Sequence, residues 1–259
     1  MRRPDPSAGR PDRTGKQEQT MSRTHRKEFL GIPFNADTQD LYHMRRSIEA
    51  ALRDALPRFE GIFLDVGCGV MPYRSLIMAA PARVEKYVGL DLKADDDAKY
   101  VTIKPDITWD GATIPLPDSS VDCAMATEVL EHCPDPIGVL REVARVMRPG
   151  GHLFLTVPFL WPLHDAPYDE HRYTPFAMER MLHAAGFTDA VVRPSGGWDA
   201  SLAQMIGLWV MRRPLPPRLR TVLKFISYPV VRFLLRMDKV PADNDWLMIT
   251  GLSALARKA

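Results

Sequence analysis

Short apolar runs alternate with segments of helical length along most of the chain. Strands are predicted at residues 62–66, 87–91, 100–103, 121–127, 152–158 and 189–194, with a last strand near 248–258. Helices are predicted at residues 41–56, 72–80, 134–147 and 174–186. Strands that alternate with helices of this length form βαβ units on a mostly parallel sheet. The pattern therefore predicts an α/β fold class.

Composition is that of an ordinary globular protein. The 259 residues are 46% hydrophobic and 25% charged, with a net charge of +2. These values exclude wholesale disorder and leave no basic footprint for nucleic acid. Three cysteines without a C-x-x-C pair are typical of a reducing compartment, so a cytoplasmic location is expected. Because no uninterrupted apolar run reaches about 18 residues, no membrane-spanning helix is predicted.

The beginning of the chain has a different composition from the rest. Residues 1–28 carry eight Lys or Arg and four Asp or Glu, with almost no apolar side chains. Such a segment cannot bury enough apolar surface to offset the entropy lost on ordering. We therefore expect residues 1–36 to form a disordered basic arm and residues 37–259 to form the folded domain. Translation that begins at Met21 explains the first part of the arm equally well.

Two predicted strands end in residues suited to a nucleoside ligand. In α/β sheets, ligands bind at the carboxyl ends of the strands. The first strand ends near Asp65, and Gly67 and Gly69 let the following backbone turn sharply beside a ligand. The second strand ends at Asp91, whose carboxylate can accept hydrogen bonds from both hydroxyls of a ribose. Asp91 can equally be a surface acid beside the acidic run 95–97.

Several motifs, taken in order, resemble those of a known family. They are L-D-V-G-C-G (64–69), V-G-L-D-L (88–92), P-L-P-D-S-S-V-D (115–122), E-V-L-E-H (128–132) and R-P-G-G (148–151). Over about residues 40–195 and the last strand, the chain resembles the class I S-adenosylmethionine-dependent methyltransferases that act on small molecules. The resemblance implies S-adenosylmethionine as cofactor. It also implies a Rossmann-like, doubly wound, mostly parallel seven-stranded sheet with helices on both faces and a helical insertion before the last strand.

The resemblance assigns nine residues to the cofactor. They are Asp65, Gly67 and Gly69 at the methionine portion, Asp91 and Leu92 at the ribose, Asp106 and Ile107 at the adenine, and Thr127 and Glu128 beside the sulfonium. Met71 departs from the pattern, because many relatives have a third glycine there. The Asp/Asn-Pro-Pro-aromatic signature of enzymes that methylate nucleic-acid bases is absent after the fourth predicted strand. A nucleic-acid substrate is therefore not expected.

The loop after the fifth predicted strand is unusually polar. An acceptor hydroxyl benefits from a general base, whereas a neutral amine needs none. His164 or His171 can act as that base with Asp169 orienting it. Alternatively, Asp169, Arg172 and Tyr173 can simply brace the loop by hydrogen bonds. His132, in the E-V-L-E-H motif, is expected to shape the site rather than to transfer protons. No metal site is predicted, since the spacing of His164, Asp169 and His171 matches no known ligand pattern.

The segment 196–241 is longer than a simple connection between strands. One helical face collects apolar residues, namely Leu219, Val222, Leu223, Ile226, Val230, Phe233, Leu234 and Met237. Between residues 212 and 239 there are eight Lys or Arg and one acid. A basic amphipathic helix of this kind can contact a membrane surface or an acidic lipid headgroup, or it can form a lid over the substrate pocket. Pro229 is expected to kink or split it.

These features together predict a methyltransferase. Its acceptor would be an O or N atom of a small-molecule, glycan or lipid-linked substrate. A non-catalytic protein that binds S-adenosylmethionine, or one that keeps only the fold, is the first alternative. A nicotinamide-dependent oxidoreductase is a weaker one, because Pro72 stands where a dinucleotide fingerprint requires glycine. The sequence predicts no oligomeric state.

Overall fold

A seven-stranded sheet with helices on both faces forms the body of the protein. The computed structural model describes residues 29–92, 104–240 and 247–259, and the elements below belong to these ranges. The strands are β1 (Glu60–Val66), β2 (Arg83–Leu92), β3 (Ile107–Trp109), β4 (Cys123–Thr127), β5 (His152–Pro158), β6 (Phe187–Ser195) and β7 (Gly251–Lys258). The helices are α1 (Tyr42–Ala55), α2 (Arg74–Ile77), α3 (Pro136–Val146), α4 (Pro175–Ala184), α5 (Trp198–Met211) and α6 (Pro217–Met237). The predicted α/β fold class is confirmed.

The strand order creates a crevice at one end of the sheet. The order is β3-β2-β1-β4-β5-β7-β6, and every neighbouring pair is parallel except the two pairs formed by β7. The chain moves outward from β1 to β3 in one direction and from β4 to β6 in the other. Such a switch point leaves a crevice outside the carboxyl ends of the two central strands.

Alternation of apolar side chains covers both faces of the sheet. In β1, Leu64 and Val66 belong to one buried cluster, while Phe63 belongs to a second. The first cluster packs α3 and α4 on its face, and the second packs α1 and α2 on the other. Successive side chains of a strand point to opposite faces, so this division requires helices on both sides.

Helix starts follow from local capping chemistry. At α3 the Asp135 carboxylate accepts a hydrogen bond from the Gly138 N–H at 2.9 Å. At α4 the Thr174 hydroxyl accepts one from the Ala177 N–H at 3.3 Å. Each cap is followed by a proline at the first helical position, where no N–H is needed. The helix predicted at residues 72–80 is shorter in the structure, where α2 has only four residues.

The third strand differs from its prediction. The strand predicted at residues 100–103 lies outside the described residues, and β3 (Ile107–Trp109) pairs with β2. Since β3 lies at the edge of the sheet and has three residues, little apolar patterning is needed to form it. Asp106 therefore precedes this strand instead of following it.

Residues 29–36 pack against the domain, so the predicted arm 1–36 is wrong in its last part. The Phe29 and Tyr73 rings pack edge-on, with their centroids 6.2 Å apart. The Arg45 guanidinium lies 4.1 Å from the centre of the Phe29 ring. Leu30 is buried. These apolar side chains provide the contact area that the preceding polar residues lack. Residues 1–28 lie outside the described residues.

The insertion consists of α5 and α6, which pack against each other. Pro229 lies inside α6, so it does not split this helix, and the kink that was the other expectation stays a prediction. Among the described residues α6 buries only Ser227 and Val231. Six of the eight residues on the predicted apolar face are exposed: Leu219, Val222, Ile226, Val230, Phe233 and Met237. Within the described ranges, no helix combines the length and hydropathy that crossing a membrane requires.

Candidate active site

A cavity of about 810 Å³ opens at the carboxyl ends of β1, β2, β3 and β4. Its walls come from the end of β2, from the loops after β1, β3 and β4, and from the loop after β5. Phe29, Met44 and Arg45 close one side. Among the described residues that line the cavity, none comes from α5 or α6. The cavity therefore lies at the switch point, and a lid role for the insertion gains no support from these contacts.

The turn after β1 requires glycine at one position above all. Gly67 has φ +68°, and a Cβ there would lie 2.5 Å from Cγ2 of Val129. Its N–H donates to the Leu90 carbonyl at 2.8 Å, which holds the turn against β2. At Gly69, with φ +49°, an added Cβ would meet nothing within 4 Å, so this residue borders open space. Both glycines line the cavity.

Two aspartates at the ends of β1 and β2 differ in how their oxygens are used. The Asp91 carboxylate accepts hydrogen bonds from the N–H groups of Gly69 at 2.6 Å and Leu92 at 2.7 Å. Asp65 is buried, the Tyr87 hydroxyl donates to its Oδ2, and its Oδ1 has no hydrogen-bond partner. Burial raises the pKa of Asp65 to about 8, the nearby Asp91 adds to this rise, and Tyr87 opposes it. At neutral pH the carboxyl group of Asp65 is therefore largely protonated.

The adenine end of the predicted site is the part that the structure changes. The Asp106 carboxylate accepts from the Gly89 N–H at 2.8 Å, and neither Asp106 nor Ile107 lines the cavity. Ile107 begins β3 and Asp106 precedes it, whereas the cavity lies at the other end of that strand. Trp109 and Asp110 stand there instead, and both line the cavity. The Asp110 carboxylate accepts from the N–H of Ala112 and Thr113, which lowers its pKa.

Thr127 ends β4 and Glu128 follows it, and both line the cavity. Glu128 has φ +55°, which turns its side chain out of the strand. Its carboxylate accepts a hydrogen bond from the Thr156 hydroxyl at 2.9 Å. Burial raises the pKa of Glu128 above its usual range. Thr127, Glu128 and the following His132 thus belong to the part of the cavity wall that the segment after β4 supplies.

The loop after β5 divides the three predicted catalytic residues. His164 lines the cavity, whereas Asp169 and His171 do not. The Asp169 side chain is 2% exposed. Its Oδ1 accepts a hydrogen bond from Nη1 of Arg172 at 2.5 Å, and its Oδ2 accepts one from Nη2 at 2.8 Å. This pairing with Arg172 holds the pKa of Asp169 well below its usual range. Asp169 also accepts from Nδ1 of His164 at 3.1 Å, so the bracing interpretation fits Asp169.

His171 lies behind the wall of the cavity. Its ring packs on Tyr173 at 5.7 Å between centroids, and its Nε2 is buried with no hydrogen-bond partner. The Tyr173 hydroxyl donates to the Leu130 carbonyl at 2.7 Å, which ties the loop to the segment after β4. A direct role of His171 as a base at the acceptor is therefore not favoured, because it does not reach the cavity.

Comparison with known proteins agrees with this geometry. The methyltransferase-domain family model matches residues 64–155, the stretch from β1 to β5. The chain is 35% identical over 108 residues to 27-O-demethylrifamycin SV methyltransferase of Amycolatopsis mediterranei, covering 37% of this chain and 39% of that protein. It is 33% identical over 123 residues to the ubiquinone biosynthesis O-methyltransferase of Marinobacter nauticus, covering 40% of this chain and 50% of that protein. The chain thus spans half the length or less of these two relatives.

Solved structures share the fold over most of the chain. A SAM-dependent methyltransferase from Archaeoglobus fulgidus superposes with a TM-score of 0.52 at 17% identity, covering 91% of this chain and 98% of that one. An S-adenosylmethionine-dependent methyltransferase from Mesorhizobium loti superposes with a TM-score of 0.51 at 19% identity, covering 82% of this chain and 98% of that one. Residues 64–155 thus match a methyltransferase domain, and the chain shares the fold of these two methyltransferase structures.

Proposed function

We propose that the chain transfers a methyl group from S-adenosylmethionine to an oxygen or nitrogen atom of a small-molecule, glycan or lipid-linked acceptor. The observation that carries this proposal is a single cavity lined by the ends of β1, β2, β3 and β4. Asp65, Asp91 and Asp110 offer acceptors along it for an ammonium group, a ribose and an adenine amino group. Both relatives named above are methyltransferases by name.

The described residues fit this cofactor. The unpartnered Oδ1 of Asp65 suits the cationic amino group of a methionine moiety, which would satisfy a buried polar atom. Gly69 borders open space, so a ligand can approach its backbone closely. Asp91 keeps lone pairs free beyond its two backbone hydrogen bonds, and these can accept from ribose hydroxyls. Trp109 offers an aromatic surface at the adenine end.

Catalysis by this chain is mainly a matter of alignment. S-adenosylmethionine supplies an already activated methyl group on a sulfonium. The protein has to hold the acceptor atom in line with the bond that breaks. Thr127, Glu128, His132 and His164 line the part of the cavity beyond the glycine turn, where the acceptor would lie. For a hydroxyl acceptor, His164 is the histidine of the β5 loop positioned to take a proton.

Turnover is the test of this proposal. We expect the chain, incubated with S-adenosylmethionine carrying a labelled methyl group, to release S-adenosylhomocysteine in step with methylation of an added acceptor. Phenols, sugar hydroxyls and amines are the acceptor classes to compare, since a general base is needed only for hydroxyls. Tight cofactor binding with no transfer to any class would favour the non-catalytic alternative.

We also propose that α6 contacts an anionic membrane surface, which would suit a lipid-linked acceptor. Its exposed apolar side chains include Phe225 and Phe233, at 63% and 61% exposure. Arg232 and Arg236 are exposed on the same helix. A helix with exposed aromatic and basic residues binds at an interface through apolar burial and attraction to anionic lipids.

Vesicle binding should depend on these arginines. Each basic residue near an anionic surface contributes about 1 kcal/mol, so replacing Arg232 and Arg236 together by Gln is expected to weaken binding about thirtyfold. Co-sedimentation with phosphatidylserine vesicles at low salt measures this. Arg180→Gln, on the exposed side of α4, is the matched control and should bind as the unmodified chain does. Absence of the unmodified chain from the vesicle pellet would contradict the proposal.

A further inference from the structure

Three potential metal ligands meet at the edge of the cavity. Glu131, His132 and His164 each offer one ligand atom, and these atoms lie within 4.8 Å of one another. Nε2 of His132 is 3.7 Å from Oε1 of Glu131. The rings of His132 and His164 are perpendicular, with centroids 4.8 Å apart. Residues 32 positions apart in the sequence thus converge on one point.

The hydrogen bond at Nδ1 of His132 leaves its other nitrogen available. Nδ1 lies 3.1 Å from the Tyr168 carbonyl oxygen. Because a carbonyl oxygen can only accept, Nδ1 carries the hydrogen. In the neutral ring, Nε2 then has a free lone pair, and it is Nε2 that faces Glu131. Metal-binding histidines are typically held in this way, with the remote N–H donated to a carbonyl or a carboxylate.

His164 is held in the same manner by a carboxylate. Its Nδ1 lies 3.1 Å from Oδ2 of Asp169, which Arg172 keeps ionised through two hydrogen bonds. Nδ1 therefore donates, and Nε2 keeps its lone pair. The pair reproduces the carboxylate–histidine arrangement found behind metal ligands. Asp169 would then be a positioning residue for His164 in addition to bracing the loop.

Glu131 is the group whose surroundings are otherwise unexplained. Its side chain is fully buried, and neither carboxylate oxygen has a hydrogen-bond partner. An unpaired buried carboxylate is strongly unfavourable, so it either keeps a proton or meets a cation. A cation between Glu131 and the two histidines would satisfy all three residues.

We propose that Glu131, His132 and His164 bind one divalent first-row transition-metal ion. For ligand distances near 2.1 Å, two tetrahedral ligand atoms are about 3.4 Å apart, close to the distance between Glu131 and His132. Two imidazoles with one carboxylate favour Zn²⁺, Mn²⁺ or Co²⁺ over Mg²⁺, which prefers oxygen ligands alone. Three protein ligands leave at least one coordination position open.

The open position gives the ion a role at the acceptor. His132 and His164 both line the cavity, so the ion would face it. An acceptor that carries a hydroxyl or a pair of neighbouring oxygens would bind there. A metal-bound Nε2 of His164 takes no proton, so the ion would replace the general-base role given to His164 above. This part of the inference rests on the proposed function, whereas metal binding itself does not.

Metal titration of the full chain tests the site. After treatment with a chelator, we expect Co²⁺ to bind in one equivalent with the visible absorption of a nitrogen- and oxygen-ligated ion, and Zn²⁺ to displace it. His132→Ala, His164→Ala and the isosteric Glu131→Gln should each weaken Zn²⁺ binding more than tenfold. Asp169→Asn should weaken it about tenfold, because it removes the ionised partner of a ligand.

The control is another glutamate–histidine pair. On α4, His183 lies 4.0 Å from Glu179, and both side chains are exposed. His183→Ala should leave Zn²⁺ affinity unchanged, and thermal melting should show that all variants are folded. The proposal is overturned if the unmodified chain takes up no ion, or if His183→Ala lowers affinity as much as the ligand variants do. Titration with S-adenosylhomocysteine, measured separately, shows whether the cofactor site fails independently of the metal site.

Discussion

Replacing Asp91 by alanine is expected to weaken binding of S-adenosylhomocysteine by at least about a hundredfold. The carboxylate can accept from both ribose hydroxyls, and hydrogen bonds to a charged group contribute about 1.5–3 kcal/mol each. It also accepts from the Gly69 N–H at 2.6 Å, so its loss frees the turn that borders the ligand. The effect should therefore exceed that of an ordinary hydrogen-bond deletion. Isothermal titration calorimetry measures it.

Two variants make the Asp91 prediction specific. Asp91→Asn keeps an oxygen acceptor and should lose less affinity than Asp91→Ala. Asp54→Ala removes an aspartate that is 75% exposed on α1, away from the cavity, and should bind as the unmodified chain does. A folded Asp91→Ala chain that binds within threefold of the unmodified one would contradict the assignment of the ribose to this residue.

Affinity for S-adenosylhomocysteine is expected to rise with pH because of Asp65. In the free chain the pKa of Asp65 is about 8, so the carboxyl group is mostly protonated at neutral pH. Its proposed partner is an ammonium group, which requires the ionised form. Binding then releases a proton, and affinity should rise about tenfold per pH unit between about pH 6 and pH 8, and then level off.

The Asp65→Asn variant isolates this effect. It cannot ionise, so its affinity should be lower and nearly independent of pH over the same range. Stability gives a second readout with the opposite sign. A carboxyl group with a raised folded-state pKa stabilises the free protein at low pH, and this contribution is lost as pH rises toward about 8. Melting temperatures at pH 8 should therefore favour Asp65→Asn. An unmodified chain with pH-independent affinity would contradict the proposed pairing.

Those parts of the fold that depend on local pattern were predictable from the sequence. The buried runs of β1 and β5, and the caps of α3 and α4, appear where the residues require them. The edge strand β3 was not predictable in this way. It has three residues and only one neighbouring strand, so its sequence carries little of the signal that marks a buried strand.

The error at β3 explains the residues missed in the site. Asp106 and Ile107 were assigned to the adenine on the assumption that the strand ends before them, whereas it begins with Ile107. Trp109 and Asp110 occupy the carboxyl end instead. The spacing of Asp110 before the P-L-P-D motif is a signal that could have identified it.

The sequence also does not show which residues from different loops lie close together in the fold. Glu131 and His132 follow β4, His164 follows β5, and only the parallel pairing of β4 with β5 brings them together. From sequence spacing alone, His164 could be grouped only with Asp169 and His171, which lie in the same loop. For the apolar face of α6 the sequence left a lid and a membrane contact open, because an apolar stripe predicts burial whatever covers it.

Calorimetric titration of the full chain with S-adenosylmethionine, S-adenosylhomocysteine and NAD tests the central claim most directly. The cavity at the ends of β1, β2, β3 and β4 predicts one-to-one binding of both sulfur nucleosides in the micromolar range and no binding of NAD. Binding of NAD without the sulfur nucleosides, or binding of none of the three, would contradict the account.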